Sequence, residues 1–150
     1  MKVSVIESGK KDYLDLLLLA DEQESMIDKY LERGVLFALY DGGLKSVCVV
    51  TDEGEGNFEI QNLATYEEYQ GKGYGRYLIN HVCRHYQGAG RTMYVGTGDS
   101  PRTVPFYQNS GFTFSHRVEN YIAEHYDKPI FEDGVQLKDK VYFKRDLQGG

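Results

Sequence analysis

The chain has 150 residues and a formal net charge of −6, from 17 Lys+Arg against 23 Asp+Glu. That length suits one compact domain that buries a full core without disulfides or a structural metal. With 41% hydrophobic and 27% charged residues, collagen, coiled coil and disordered acidic tail are excluded, and the acidic balance argues against a general nucleic-acid binder.

Residues 2–7 read as a first strand and 11–20 as a helix with a broad apolar face from Tyr13 to Leu18. A second helix is expected over 22–33, ended by Gly34 as a natural C-terminal cap. Two β-rich runs, 35–40 and 46–51, flank Asp41-Gly42-Gly43, a good hairpin signal. An acidic Gly-rich turn at 52–57 leads to a third run, 58–66, so three strands form an antiparallel meander. From Gly73 the period becomes helical, with Leu78, Ile79, Val82, Cys83 and Tyr86 on one stripe. A short strand (92–96), a short helix (102–110, closed by Gly111), a strand (112–118) and a last strand (140–145) follow. The order predicts a single α/β (α+β) domain over 1–150, with a mixed, mostly antiparallel sheet and a flexible tail at 148–150. The unit over 58–96 is the one natural parallel crossover. Residues 118–139 match no motif; they either shape a substrate pocket or only pack.

The N-terminal residues lack the apolar core of a secretory leader. The longest apolar run, Leu16 to Ala20, is far short of the ~20 residues that span a bilayer. A cytoplasmic protein without membrane contact is expected. Cys48 and Cys83 lie in apolar patterns and read as buried free thiols. No Cys/His cluster supports a metal.

Charge is unevenly spread. Residues 1–68 carry 6 basic and 15 acidic side chains, whereas 69–98 carry 4 basic ones (Lys72, Arg76, Arg84, Arg91) and none acidic. This island opens with Tyr69-Gln70-Gly71-Lys72-Gly73-Tyr74-Gly75-Arg76, between a predicted strand and a predicted helix. Glycines at alternate positions leave backbone N–H groups unobstructed, and at a helix N-terminus such groups bind anions. Lys72 and Arg76 add positive charge. The physical reading is a diphosphate cradle; the bland alternative is a plain turn that starts a helix. A Walker loop is excluded by spacing, and so is a dinucleotide fingerprint, which needs Gly-x-Gly-x-x-Gly and a later acid.

The string Gln70-Gly71-Lys72-Gly73-Tyr74-Gly75 resembles the Q/R-x-x-G-x-G/A acyl-CoA loop of the Gcn5-related N-acetyltransferase (GNAT) superfamily. Residues 60–65 resemble its fourth strand. Residues 105–112, with Tyr107, Gly111 and Phe112, resemble its second hallmark, a helix ending in Tyr-x-x-x-Gly-Phe. Two motifs in order, and an element order that agrees from residue 2 to about 145, extend the resemblance over nearly the whole chain.

The resemblance implies the GNAT fold and transfer of an acetyl group from acetyl-CoA to an amine by direct attack in a ternary complex. Gln70, Gly71, Lys72, Gly73, Tyr74, Gly75 and Arg76 would hold the pyrophosphate. Leu63, Ala64 and Thr65 would pair with the pantetheine arm as an added strand does, with an N–H near Leu63 polarising the thioester carbonyl. Ser100 stands where many members carry an Asn that touches the pantetheine. Tyr107 would protonate the leaving thiolate, since a phenol stays protonated at neutral pH; the alternative is aromatic packing. Glu59 is the candidate base, directly or through water; the alternative is a sheet-surface carboxylate. His116 and His125 could reach a substrate cleft but read better as surface groups. The acceptor is a small-molecule or peptide amine, and the acidic remainder favours a cationic one by steering. No metal or nucleic-acid partner is expected; a homodimer through the later strands is left open. The rival reading is a non-catalytic acyl-CoA-binding regulatory domain.

Overall fold

The computed structural model describes residues 1–148. In chain order the elements are β1 (Lys2–Ile6), a 3-10 turn (Lys10–Tyr13), α1 (Leu14–Ala20), α2 (Glu24–Ile27), β2 (Val35–Tyr40), β3 (Leu44–Gly54), β4 (Asn57–Thr65), α3 (Tyr74–Tyr86), β5 (Thr92–Gly98), α4 (Thr103–Asn109), β6 (Thr113–Val118), α5 (Tyr121–His125), β7 (Ile130–Glu132), β8 (Val135–Leu137) and β9 (Lys140–Asp146).

β2 and β3 are apolar on both faces, which requires a helical layer on each side. Phe37, Leu39, Cys48 and Val50 pack with Leu78, Ile79, Val82 and Cys83 of α3. Leu36, Ala38, Val47 and Val49 pack with Leu16 and Leu17 of α1 and with Ile27 and Leu31. Both cysteines are free and buried. The seven-stranded sheet runs β1-β2-β3-β4-β5-β9-β6, with β7 and β8 forming a separate hairpin. All its pairings are antiparallel except β4 with β5, the crossover carried by α3.

Two details of β4 position the site. It pairs with β5 only from Asn57↔Thr92 to Ile60↔Val95. Beyond that point β4 stays on β3 as far as Thr65↔Ser46, while β5 stays on β9 as far as Gly98↔Lys140. The sheet therefore opens into a V. Second, the register with β3 passes from Val49↔Asn62 to Val50↔Ile60, so Gln61 is an extra residue, a β-bulge.

The helix expected over 22–33 is corrected: α2 is one turn long and residues 28–33 are turns. The Ile27 carbonyl accepts from both Tyr30 N–H (3.1 Å) and Leu31 N–H (3.0 Å), which tightens the ladder. The Lys10 ammonium then gathers the carbonyls of Leu31 (3.0 Å), Glu32 (3.1 Å) and Gly34 (2.7 Å). Residues 118–139, for which no element was expected, fold into α5 and the β7–β8 hairpin. Of the tail at 148–150, Gln148 donates through Nε2 to the Gly90 carbonyl (3.2 Å), and the rest lies outside the described residues. No helix among the described residues is long and apolar enough to cross a membrane.

Candidate active site

A cavity of about 900 Å³ runs through the V between β4 and β5. At one end stands the glycine loop. Gly73 is the residue before α3 and adopts φ 89°, a left-handed conformation that glycine enters freely. The first backbone bond of the helix is Tyr77 N–H to Gly73 O (3.0 Å), so the preceding amides are free of the helical ladder, as at any N-terminus. No side chain caps this end. Gln70, Gly71, Gly73, Tyr74, Gly75 and Arg76 all line the cavity. Gln70 Nε2 donates to the Thr65 carbonyl (3.1 Å) and Tyr74 Oη donates to Asp41 Oδ2 (2.8 Å), which ties the loop to β4 and to the β2–β3 turn. Lys72 stays outside the wall, its ammonium 5.7 Å from the Tyr69 ring centroid.

Leu63, Ala64 and Thr65 form the adjoining wall, on the edge of β4 that β5 has left. Ser46 Oγ donates to the Ala64 carbonyl (2.8 Å), so the β3 side of that edge is anchored. Ser100 is placed differently from expectation. It is 2% exposed, is absent from the cavity wall, and its hydroxyl donates to Glu132 Oε1 (2.5 Å) while accepting from Arg102 N–H (3.1 Å). Its work is to cap the start of α4 and fasten β7.

Glu59 and Tyr107 reach the cavity from opposite faces of the sheet. Tyr107, 7% exposed, belongs to the α3-side core, and burial holds its phenol well above the usual range. Glu59 is half-buried on the other face. Burial raises its carboxyl above the usual value, opposed by the positive charge of Lys140. Lys140 lies across the floor beside Gly96, with Nζ 4.7 Å and 5.0 Å from the ring centroids of Tyr121 and Tyr142. A Cβ at Gly96 would collide with Lys140 Cε and the Tyr142 ring. His116 and His125 do not line the cavity; they stack on Tyr142 (4.6 Å) and Tyr121 (4.0 Å).

The other end of the cavity holds residues that sequence reasoning did not single out. α5 and β7 contribute Tyr121, Ile122, Phe131 and Glu132, and the segment after α1 contributes Asp21 and Glu22, so residues 118–139 do shape the pocket. Tyr30 Oη donates to Asp21 Oδ2 (2.9 Å) and Tyr126 Oη donates to Asp21 Oδ1 (2.6 Å). Asn62 Nδ2 donates to Tyr30 Oη (3.0 Å) and to the Leu17 carbonyl (3.0 Å). One signal was available in the sequence: Asn62 is polar where the β4 pattern Phe58, Ile60, Ala64 calls for an apolar side chain.

A family model for the acetyltransferase (GNAT) domain matches residues 32–114, more than half of the chain. An uncharacterized N-acetyltransferase of Bacillus subtilis, YvbK, is 33% identical over 150 residues, covering 98% of this chain and 97% of its own. Among solved structures, an IAA acetyltransferase from Bacillus cereus superposes with a TM-score of 0.88 at 31% identity, over 97% of this chain and 99% of that one. A GNAT family acetyltransferase from Elizabethkingia anophelis, solved with acetyl-CoA bound, gives 0.91 at 28% identity, over 97% of each chain. A Bacillus subtilis acetyltransferase in complex with CoA gives 0.89 at 32%, again over 97% of each. Motif, fold and relatives agree, and the chain belongs to the GNAT family of N-acetyltransferases.

Proposed function

We propose that this protein transfers the acetyl group of acetyl-CoA to an amine, both substrates being bound at once in the V between β4 and β5. The observation that carries this reading is the continuity of one cavity: it joins the uncapped N-terminus of α3 to Glu59 and Tyr107 along an open strand edge. The fit to acetyl-CoA is chemical. Free amides at a helix start, with Arg76 beside them, suit a pyrophosphate. The free edge of Leu63–Ala64–Thr65 suits the amide groups of a pantetheine arm.

Direct transfer forms one C–N bond and breaks one C–S bond. The attacking amine must give up a proton, and the departing sulfur gains one. Glu59, raised by burial, is a stronger base than an exposed carboxylate. Tyr107, kept protonated by its burial, is a donor to the sulfur. They approach from opposite sides of the opening, as attack and departure on one carbonyl carbon require. An N–H near Leu63 is placed to polarise that carbonyl. Release of free thiol from acetyl-CoA in the presence of a panel of primary amines tests the reading. Thermal stabilisation by CoA with no turnover on any amine would overturn it in favour of a non-catalytic acyl-CoA-binding domain.

A further inference from the structure

We propose that Asp21, held by Tyr30 and Tyr126, binds a second ammonium group of the acceptor, so that the preferred substrates are diamines or polyamines. This rests on the transferase reading above and names its substrate class. Each Asp21 carboxylate oxygen accepts one tyrosine hydroxyl, at 2.9 Å and 2.6 Å. An ionised carboxylate offers about four acceptor sites, so roughly two remain. Among the described residues no Lys, Arg or His forms an ion pair with Asp21.

A second observation points the same way. Asn62 lies in the cavity wall, is 3% exposed, and its Oδ1 has no hydrogen-bond partner among the described residues. A flip of the amide does not cure this, because the opposite side faces the Leu17 carbonyl, which needs a donor. The wall thus presents unused acceptors on Asp21 and Asn62, linked through the Tyr30 hydroxyl. Their complement is a group with several N–H donors and no acceptor, which is an ammonium. The rings of Tyr121, Tyr126 and Phe131 line the same end and suit the methylene chain and the cation.

The cations of the wall do not answer this need. Arg33 pairs with Glu53 (3.0 Å) and Arg102 with Asp133 (2.9 Å). Lys140 lies over two rings, and Lys29 is exposed. Asn62 stands three residues along β4 from Glu59, about 10 Å at the rise of a strand. That span suits a diamine of about six carbons, with one neutral amine at the thioester and one ammonium at Asp21.

The test compares 1,6-diaminohexane, 1-aminohexane and 6-aminohexanoate as acceptors, by thiol release from acetyl-CoA. The diamine is expected to exceed the monoamine in kcat/KM by about tenfold or more, the worth of one charge-assisted contact, with the amino acid poorest. In Asp21→Asn the diamine-to-monoamine ratio should fall toward one, chiefly through KM. Tyr126→Phe, which leaves the carboxylate in place, should lower the ratio by a smaller factor and serves where Asp21→Asn does not fold. Equal efficiency on diamine and monoamine in the parent enzyme, or an unchanged ratio in a folded variant, overturns the proposal and leaves the transferase reading standing. Thiol release with none of the amines overturns the transferase reading itself, and this proposal with it.

Discussion

Replacement of Gly73 separates the stability of the loop from its binding of an anion. Gly73 sits at φ 89°, and a Cβ built there meets no atom within 4 Å. Gly73→Ala therefore costs backbone strain alone, about 1–2 kcal/mol. At roughly 2–4 °C of Tm per kcal/mol for a chain of this size, the loss is about 2–8 °C. Gly73→Asp carries the same strain, eased because Asp tolerates the left-handed region better than Ala. It also places a negative charge at the start of α3, worth about 0.3–1 kcal/mol in favour of the folded helix. The aspartate variant should thus be the more stable of the two. For CoA the order reverses. One added charge about 4 Å from a phosphate is opposed by about 1 kcal/mol in water and 4 at a protein surface, so CoA affinity should drop by roughly tenfold to a thousandfold. Thermal melts and calorimetric titration with CoA measure both effects. A Gly73→Asp protein that binds CoA as the parent does removes the loop from the site. One that melts well below Gly73→Ala refutes the helix-start argument.

Three further outcomes follow from the same geometry. Tyr107→Phe should lower kcat by about a hundredfold or more, as loss of a general acid does, with CoA affinity and Tm little changed, because no hydrogen bond to that hydroxyl forms among the described residues. A folded variant with full turnover would return Tyr107 to packing. Glu59→Gln should lower kcat/KM and abolish the acid limb of its pH profile, which in the parent lies above the usual carboxylate pKa of 4.5. The stability sign is opposite. Because the folded state raises this pKa, the contribution is most favourable below pH 4.5 and is lost as pH rises through the raised value, so at pH 7 Glu59→Gln should melt no lower than the parent. Urea titration across pH checks this. Tyr30→Phe removes the donor to Asp21 and the acceptor for Asn62, both partly or wholly buried, and should cost about 1–3 kcal/mol in the same titration.

Much of this arrangement was legible in local pattern. The hairpins are marked by Gly-rich turns, α3 by its stripe from Leu78 to Tyr86, and the cofactor loop by glycines set among Lys72 and Arg76. The parts that were not legible depend on contacts distant in sequence. The helix over 22–33 has acceptable residues throughout; what shortens it is the ammonium of Lys10, more than twenty residues upstream of the carbonyls it binds. Ser100 carries the right position for a pantetheine contact, but Glu132, 32 residues later, takes its hydroxyl. Residues 118–139 have weak periodicity because α5 and β7 are short and are held by partners such as Asp21, which accepts from Tyr126 across 105 residues. No window of sequence contains that pair.

The bulge at Gln61 is what turns a fold into a site. In an unbroken strand, residues an odd number apart face opposite ways. Glu59 and Asn62 are three apart, and Phe58 and Ile60 already commit the even positions to the α3-side core. Without the extra residue, Asn62 and Ala64 would join them and Leu63 would face α1. With it, Ala64 packs among the α1-side residues, Asn62 bonds to the Leu17 carbonyl, and Leu63 packs on the other side. Glu59 and Asn62 then share one face, along the edge that β5 has vacated. The bulge is secured from β3, where Gln61 Nε2 donates to Thr51 Oγ1 (3.0 Å). Deleting Gln61 would restore strict alternation and place Asn62 against the apolar stripe of α3. A buried amide there would lose both of its present partners, at a cost of about 1–3 kcal/mol each. Such a protein should melt far below the parent and lose amine acetylation together with CoA binding, since the Leu63–Thr65 edge would turn with it. A deletion variant that kept its CoA affinity would show that the edge does not depend on the bulge, and the link drawn here between strand register and catalysis would fail.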